Sequence, residues 1–557
     1  MKILFVGRRY TYFRNFDSVL RELAARGHQI HLAVEREGAE GRPPVEALAR
    51  DCPTVTYGAA PESSGDDWRW LASRLRHGLE YLRYQDRMFN DTPKIRDRSR
   101  ERTPGAFVTL GDAIRRYATW ARRPVSAIVD WFERATPEDQ VVRAFVESQR
   151  PDLLFITPLI GLGSQQIDYL RVARALGIPT GLGVWSWDHL SSKALIRDLP
   201  DRVFVWNDTQ RQEARRLHRV PDDRIVVTGA QCFDQWFDRV PSRDRVTFCR
   251  EAGLGTDRPF LLYVCSAPFL GSQPEAPFVA NWIGRLRGSG LSRLRDVPIV
   301  VRPHPSRRAE WDAVDLSGFS DVVLWGGPPV DAHARADYFD SLYHSAAVVG
   351  LNTSAFIEAG IVGRPVLTIL LPEWYENQLG TVHFRYLFEA GGGLLTSATT
   401  YEAHCSQLDE ALAHPSTQMR PFVRAFVRPH GLDVPATPIF VEQVEAMRTL
   451  TVPPPVRPRF ERYARRWLEK AMPWRHEVGR EHLVYSEREL QSVLPMRASR
   501  AIKAMRNAIK AMRKRELKRA RAADVATSQA AREAEVQAYR ADKRALEDAG
   551  TRSDRPV

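Results

Sequence analysis

Cysteines and long apolar runs are both scarce in this sequence. Its 557 residues include five cysteines, with no Cys-x-x-Cys pair and no histidine pairing at zinc-ligand spacing. This pattern argues against a disulfide framework or a structural metal, and it indicates a reducing compartment. No stretch is long enough to span a membrane, and the short apolar run at the N-terminus meets Arg8 and Arg9 without a cleavage site. We therefore expect a cytoplasmic protein.

Two ligand motifs are also missing. No Gly-x-Gly-x-x-Gly follows the first apolar run, which disfavours a dinucleotide redox cofactor. No Asp-x-Asp stands at the end of a predicted strand, so the sequence does not demand a catalytic metal. We expect neither a cofactor nor a metal.

The net charge of +13 is concentrated in a predicted helical tail, residues 496–557. Residues 496–522 hold eleven Lys and Arg against one acidic residue, so the rest of the chain is only slightly basic. Ala501–Arg506 repeats as Ala508–Arg513, which predicts a narrow apolar stripe among cations. A solvated or weakly self-associating helix is the plainest interpretation. Docking on an anionic membrane surface comes second, and contact with nucleic acid is disfavoured.

Apolar, β-branched runs alternate with helical patterns, which is the rhythm of βαβ units and mostly parallel sheets. The rhythm predicts an α/β fold of two Rossmann-like, doubly wound domains, residues 1–245 and 255–450. A helical stretch rich in arginine and aromatics, at about 62–147, is too long for a connection and indicates an insertion in the first domain. Residues 451–495 are interpreted as a linker with return helices, including Arg459–Ala471.

The predicted strands share short apolar runs bounded by polar or glycine-containing turns. In the first domain they are Lys2–Val6, Gln29–Val34, Thr54–Gly58, Leu153–Thr157, Gly181–Trp185, Arg202–Trp206 and Arg224–Gly229. In the second domain they are Phe260–Ser266, Pro298–Arg302, Val322–Gly326, Ala346–Leu351, Pro365–Leu370 and Gly393–Leu395.

In the first domain, the first strand runs into Arg8 and Arg9, at the edge where open α/β sheets bind ligands. These arginines either contact an anionic substrate or are solvated surface residues. A ten-residue segment ending at Lys193 carries two indoles, a carboxylate and an imidazole. Asp188 or His189 is predicted to take a proton from an acceptor hydroxyl, and Lys193 to meet a phosphate. The alternative is a Trp-anchored loop whose aspartate caps a helix.

In the second domain, Arg302 and His304 follow a buried strand and alternate with two prolines. Cationic donors fixed at this edge suit a diphosphate, whose charge grows as the leaving bond breaks. A structural arginine and histidine are the alternative. His383 lies in a segment that could cover the donor, and it is equally compatible with packing.

A later strand leads into Asn352, Thr353 and Ser354, which open a helix that carries Glu358. Hydroxyls and unpaired backbone amides at a helix start predict an anion site. Glu358 lies one turn further, where a carboxylate can accept hydrogen bonds from ribose hydroxyls. Plain capping by Ser354 explains the start of the helix but not an acidic residue inside an otherwise apolar one.

This order of strand, Thr/Ser-rich helix start, Glu358, Ala-Gly and Gly-Arg-Pro-Val resembles the donor-binding segment of GT-B glycosyltransferases. Arg-Pro-His-Pro and a preceding Asp-Tyr-Phe-Asp-Ser-Leu-Tyr-His resemble the CDP-glycerol glycerophosphotransferase and surface-polysaccharide branch. The similarity spans roughly Phe260–Leu395. It implies that Ser354 and its neighbours hold the donor phosphates, Glu358 the ribose, and Arg302 with His304 the leaving group. The branch's Asp-Tyr-Ser-Ser segment and His-Gly loop are both replaced in this chain.

The sequence thus predicts a metal-independent GT-B glycosyltransferase. It would move a sugar, or glycerol phosphate, from a nucleotide sugar or a CDP-glycerol-like donor to a hydroxyl of a cell-envelope glycan or lipid-linked acceptor. The basic segment 496–522 would hold the enzyme at the inner face of the plasma membrane. A UDP-sugar 2-epimerase of the same fold and a non-catalytic nucleotide- or glycan-binding scaffold stay open as alternatives.

Overall fold

The computed structural model describes residues 1–38, 41–61, 63–267, 273–328, 331–414, 420–453 and 459–471. The predicted basic helix at 496–522 lies outside these residues. The chain divides into two compact units, Met1–Arg465 and Arg466–Val557, and both sheets belong to the first unit. None of the described helices is long and apolar enough to cross a membrane.

The first sheet is parallel throughout. Its strands are β1 (Lys2–Gly7), β2 (Gln29–Val34), β3 (Val55–Ala59), β4 (Leu153–Thr157), β5 (Thr180–Gly183), β6 (Arg202–Val205) and β7 (Ile225–Val227). They are ordered β3-β2-β1-β4-β5-β6-β7.

The second sheet is also parallel. Its strands are β8 (Leu261–Val264), β9 (Ile299–Arg302), β10 (Val322–Leu324), β11 (Ala347–Val349), β12 (Val366–Ile369) and β13 (Leu395–Ala398). They are ordered β10-β9-β8-β11-β12-β13.

Helices connect the strands and cover the sheets. They are α1 (Asp17–Ala25), α2 (Arg42–Asp51), α3 (Asp67–Arg83), α4 (Pro93–Arg102), α5 (Gly105–Tyr117), α6 (Arg122–Arg134), α7 (Gln140–Gln149), α8 (Gln166–Ala175), α9 (Asp208–His218), α10 (Asp234–Phe237), α11 (Arg245–Ala252), α12 (Ala276–Arg287), α13 (Ser292–Arg295), α14 (Ala332–His344), α15 (Ala355–Ile361), α16 (Val382–Glu389), α17 (Tyr401–Ala413), α18 (Arg420–Phe426), α19 (Ala436–Ala446) and α20 (Arg459–Ala471).

Both sheets are doubly wound, because strands are added first on one side of β1 or β8 and then on the other. The central strands β4, β8 and β9 are buried along their whole length, as parallel strands covered by helices on both faces should be. The strand orders confirm the predicted α/β fold of GT-B class, with two Rossmann-like sheets in tandem. In such sheets, ligands bind outside the carboxyl ends of the strands where the order reverses.

Helices α3 to α6 form the predicted insertion around a small apolar core that includes Leu82 and Ile114. Buried ion pairs fix this insertion to the first domain. The Arg76 guanidinium lies 2.7 Å from Glu133 and 2.8 Å from Asp168, which belongs to α8. All three side chains are at most 2% exposed. The insertion is therefore a packed part of the first domain rather than a loose loop.

The chain returns to the first domain earlier than predicted. Phe440 on α19 stacks on Phe204 of β6, with 4.6 Å between ring centroids, so this helix completes the core of the first sheet. Asp234 caps α19 by accepting the backbone N–H groups of Ala436 at 3.0 Å and Thr437 at 2.7 Å. The predicted second domain extended to residue 450, whereas α19 packs as part of the first domain.

Candidate functional site

Glu358 lies on α15 at the carboxyl edge of the second sheet. Its carboxylate accepts a hydrogen bond from the hydroxyl of Tyr338 on α14. Burial raises the pKa of Glu358 to about 7, although the bond from Tyr338 and the charge of Arg14 oppose the rise. Arg14 belongs to the 3-10 helix Tyr10–Phe16, which follows β1. The charge of Arg14 in the first domain thus acts on Glu358, and we call the space between the carboxyl edges of the two sheets the cleft.

Arg302 packs between Tyr338 and Asp337. Its guanidinium lies 5.2 Å from the centroid of the Tyr338 ring and 2.8 Å from a carboxylate oxygen of Asp337. It also donates to the Ser341 hydroxyl at 3.3 Å, and the residue is only 5% exposed. The charge of Arg302 is thus paired with Asp337 inside the domain, and its predicted contact with a leaving group stays a prediction. Arg302 packs over the ring of Tyr338, whose hydroxyl donates to Glu358.

His304 stays at the surface of the same edge. Its Nδ1 lies 2.8 Å from the Ser306 hydroxyl and accepts the backbone N–H of Ser306 at 3.3 Å, which begins the 3-10 helix Pro305–Ala313. Burial and the nearby Arg307 lower the pKa of His304. The residue is partly exposed, and its predicted donor contact stays a prediction.

The three residues before α15 have different roles. Asn352 is held by two hydrogen bonds. Its side-chain amide donates to the carbonyl of Asn377, and its backbone N–H donates to the Ser266 hydroxyl at 3.1 Å. The Thr353 hydroxyl accepts the N–H of Ala355 at 3.3 Å and thereby caps the helix. Ser354 is exposed and makes no side-chain capping bond. Of these three side chains, Ser354 alone makes no hydrogen bond with the part of the chain that the structure describes.

Asp188 lies after β5 in a cluster of donors. Its carboxylate accepts from the Ser192 hydroxyl at 2.8 Å, from the Lys193 ammonium at 3.1 Å and from the Ser186 hydroxyl. Burial raises the pKa of Asp188, but Lys193, His383 and the two hydroxyls more than offset it and hold the pKa below its ordinary value. The side chain keeps 24% of its surface exposed. Asp188 is thus a charged, reachable carboxylate.

His189 does not share this access. It is fully buried, its Nε2 donates to the carbonyl of Pro158 at 2.8 Å, and its Nδ1 accepts the backbone N–H of Trp185 at 3.4 Å. We assign the tautomer from these two bonds. Burial lowers the pKa of His189 to about 3. With both nitrogens bonded to backbone, His189 cannot serve as the predicted base, and it fixes the loop that presents Asp188.

His383 on α16 belongs to the Asp188 side of the cleft rather than to Glu358. Its ring lies edge-on to Trp187, with 4.7 Å between centroids. Burial lowers the pKa of His383 to about 4, against the opposing charge of Asp188, so the imidazole is neutral. Its Nδ1 is buried without a hydrogen-bond partner among the described residues. The segment 372–389 thus reaches the first domain beside the candidate base.

Two further contacts across the cleft were not predicted. The Tyr386 hydroxyl, also on α16, donates to Glu213 of α9 at 3.0 Å. Burial raises the pKa of Glu213 to about 8, and the residue is 3% exposed. Lys94 of the insertion donates to the side chain of Asn377 at 2.7 Å. Neither contact could be predicted, because Glu213 and Lys94 each lie in a charged helix whose pattern is typical of a solvated surface.

The cations predicted to meet an anion lie on the first-domain side of the cleft. Arg8 packs against Gly161, where a Cβ would stand 2.8 Å from its Nη1. Arg9 is exposed on the same loop, and Lys193 pairs with Asp188. Among the described residues, no three His, Cys, Asp or Glu side chains are grouped as metal ligands.

No protein-family model and no curated protein matches this sequence. Solved structures are similar over most of the chain at low identity. A glycosyltransferase from Rickettsia africae is 10% identical, with a TM-score of 0.47 over 81% of this chain and 99% of that chain. A UDP-GlcNAc 2-epimerase from Neisseria meningitidis, bound to UDP-GlcNAc, is 12% identical, with a TM-score of 0.46 over 80% and 100%.

Anabaena HepE, in complex with UDP and glucose, is 11% identical, with a TM-score of 0.43 over 81% of this chain and 100% of that chain. Similarity at this level does not choose between a transferase and an epimerase. The fold assignment rests on the strand order of the two sheets.

Proposed function

We propose that the protein transfers a sugar from a nucleotide-activated donor to an acceptor hydroxyl in the cleft. The observation that carries this proposal is Glu358, a partly buried carboxylate at the carboxyl edge of a doubly wound sheet. It is bonded to Tyr338 and faces Arg14 of the opposite domain. A ribose hydroxyl can replace the Tyr338 hydroxyl as its donor, and this would hold a nucleotide at the switch point of the sheet.

On the acceptor side, Asp188 is the group we assign to receive the proton. Of the two predicted bases it is the one with an exposed side chain. The acceptor oxygen would attack the anomeric carbon, the proton would pass to Asp188, and the nucleotide would leave with the bonding electrons. Positioning by two domains supplies much of the acceleration in such a displacement. Lys193 and the two serine hydroxyls would keep the carboxylate ionised, in the form that can accept a proton.

The helical insertion favours a transferase over a 2-epimerase. Its helix α4 reaches the second domain through Lys94 and Asn377, so it extends the first domain along the cleft. An epimerase acts on the nucleotide sugar alone and needs no surface for a second substrate. We assign the insertion to acceptor binding, and the donor to a nucleotide sugar in preference to a CDP-glycerol-like compound.

The products of a single incubation test this proposal. The protein is mixed with UDP-glucose, UDP-N-acetylglucosamine or CDP-glycerol, with and without a detergent extract of bacterial cell envelope as acceptor source. A transferase releases free nucleotide in an extract-dependent reaction that Asp188→Asn abolishes. Formation of the 2-epimer without an acceptor would establish the epimerase instead. Tight nucleotide binding with no turnover under any condition would establish the scaffold.

A further inference from the structure

The order of the second sheet reverses between β8 and β11, and the loops that leave these two strands lie against each other. The strands pair in parallel, with Tyr263 opposite Val349. A Cβ on Gly350 would stand 2.7 Å from the carbonyl oxygen of Val264, so the backbones are in contact where the strands end. Open α/β sheets bind ligands in the crevice at such a reversal. The groups that fix these two loops therefore shape the candidate nucleotide site.

Ser266 joins the loop after β8 to the loop after β11. Its hydroxyl accepts the backbone N–H of Asn352 at 3.1 Å, and Asn352 stands six residues before Glu358. Ser266 is 7% exposed and Asn352 is 5% exposed, so this hydrogen bond is shielded from water. The position of the segment that leads into α15 thus depends on Ser266.

Glu275 holds Ser266 in turn. Its carboxylate accepts the backbone N–H of Ser266 at 2.7 Å and the Tyr263 hydroxyl at 2.8 Å, and it lies 3.4 Å from the Ser266 hydroxyl. Glu275 is 1% exposed. Removing this carboxylate would leave a buried N–H without its acceptor, which is costly and releases the loop.

The side chain of Glu275 serves this loop rather than its own helix. Glu275 is the N-cap residue of α12, but its side chain makes no capping bond there. Its backbone N–H donates to the Glu310 carboxylate at 2.8 Å, and Glu310 pairs with Arg307 at 3.2 Å. The start of α12 is therefore secured by Glu310, while the Glu275 carboxylate is directed at the end of β8.

The acceptor role of Glu275 does not require its charge. Burial raises the pKa of Glu275 to about 7, and the charge of Glu310 adds to the rise. The bonds from Ser266 and Tyr263 and the charge of Arg307 oppose it. Because the carboxyl group is readily neutral, a glutamine of the same length can accept the Ser266 N–H in its place.

We propose that Glu275 is a positioning residue of the nucleotide site, acting through Ser266 and Asn352 on the segment that carries Glu358. The proposal rests on the proposed function, in which Glu358 binds the ribose. Glu275 is too deeply buried to touch the nucleotide, so its effect on affinity runs through Glu358. A residue that only stabilised the fold would lower the melting temperature and leave the affinity unchanged.

A double-mutant cycle on nucleotide affinity tests this role. The full chain is titrated calorimetrically with UDP, GDP and CDP, and the nucleotide that wild type binds most tightly is used for Glu275→Ala, Glu358→Gln and the double variant. Asp139→Ala is the matched control. Asp139 is also 1% exposed and accepts the N–H of Ser64 at 2.7 Å and its hydroxyl at 3.0 Å, but it lies in the first domain. Melting temperatures are measured for all variants.

The proposal predicts that Glu275→Ala weakens the nucleotide about tenfold, because a displaced loop misplaces Glu358. In the Glu358→Gln background the same change should alter affinity by less than about twofold. Glu275→Gln should restore nearly the affinity of wild type. Asp139→Ala should lower the melting temperature and leave nucleotide affinity as in wild type.

Unchanged affinity in Glu275→Ala would overturn the proposal, and so would additive losses in the double variant. An equal loss in Asp139→Ala, or a loss in Glu275→Gln as large as in Glu275→Ala, would also overturn it. If Glu275→Ala fails to fold, Ser266→Ala takes its place in the cycle, because it removes the hydroxyl that accepts the Asn352 N–H and keeps Glu275. The same outcomes then decide.

Failure of the proposed function is recognised separately. If wild type binds none of the three nucleotides, or if Glu358→Gln binds as wild type does, the proposed function and the role of Glu275 both fail. If Glu358→Gln weakens the nucleotide and Glu275→Ala does not, the role of Glu275 alone is refuted.

Discussion

The imidazole of His383 lies edge-on against the indole of Trp187, with 4.7 Å between the two ring centroids. His383 belongs to the second domain and Trp187 to the first, so the pair joins the domains directly beside Asp188. The Tyr386–Glu213 bond, one helical turn along α16, adds a second contact at 3.0 Å. The candidate base is therefore positioned by both domains, and its environment depends on how closely they meet.

The Asp188 carboxylate should be required for turnover. Replacing it in Asp188→Asn removes the proton acceptor, and we expect turnover to fall about 10²- to 10⁴-fold with nucleotide affinity retained. His383→Gln removes the aromatic contact with Trp187 beside Asp188 and should cost about tenfold. Asp208→Asn is the control, because Asp208 has 77% of its side chain exposed on the nearby helix α9. Full activity of Asp188→Asn would exclude it as the base.

Glu358 should give nucleotide binding and stability opposite dependences on pH. Because burial raises its pKa to about 7, the folded protein holds this proton more tightly than the unfolded chain does. Its contribution to stability is present at acidic pH and is lost as the pH rises through about 7. The ionised form accepts ribose hydroxyls, so nucleotide affinity should rise over the same interval.

The measurements are melting temperature and nucleotide affinity between about pH 5.5 and 8. Glu358→Gln should flatten both profiles, whereas Glu389→Gln, at an exposed position, should leave them as in wild type. Identical profiles for wild type and Glu358→Gln would show that this carboxyl does not titrate in the interval.

Arg302 should behave as a structural residue. Arg302→Met removes the counter-charge of Asp337 and the support under Tyr338, and we expect it to lower the free energy of unfolding by about 2 kcal/mol. Arg308→Met changes an exposed arginine that bonds the Gly326 carbonyl, and it should cost under about 0.5 kcal/mol. Urea unfolding measures both. An unchanged stability with selective loss of nucleotide binding would restore Arg302 as a donor ligand.

The buried ion pairs of the insertion should contribute far more to the free energy of unfolding than its surface pairs do. Arg76→Met removes the buried guanidinium that pairs with Glu133 and Asp168. We expect it to lower the free energy of unfolding by about 3–5 kcal/mol. Arg134→Met breaks the exposed pair with Asp130 at 2.8 Å, worth under about 1 kcal/mol. Denaturant unfolding followed by circular dichroism compares them. Equal costs would mean that the buried network does not anchor the insertion.

The strands could be predicted from the sequence because their signal is local. Each predicted apolar run, such as Gln29–Val34 and Leu153–Thr157, coincides with a strand of the described residues to within a few positions. Parallel strands buried on both faces need continuous apolar runs, and these stand out against helical patterns. Helix α19 was assigned to the wrong domain because nothing local shows which sheet its apolar face covers.

The site was harder to predict because its contacts join distant parts of the chain. The density of polar groups around Asp188 indicated this segment as a candidate site. It could not show that both ring nitrogens of His189 are hydrogen-bonded to the backbone. Nor could the sequence show that Arg302 is paired with Asp337, which lies thirty-five residues further on.

Calorimetric titration of wild type and Glu358→Gln with UDP, GDP, CDP and CMP tests the central claim most directly. We predict that one nucleotide binds to wild type, and that Glu358→Gln weakens it about tenfold or more with little change in melting temperature. Binding that is indifferent to Glu358→Gln, or no binding by any of the four nucleotides, would contradict a nucleotide-activated donor in this cleft.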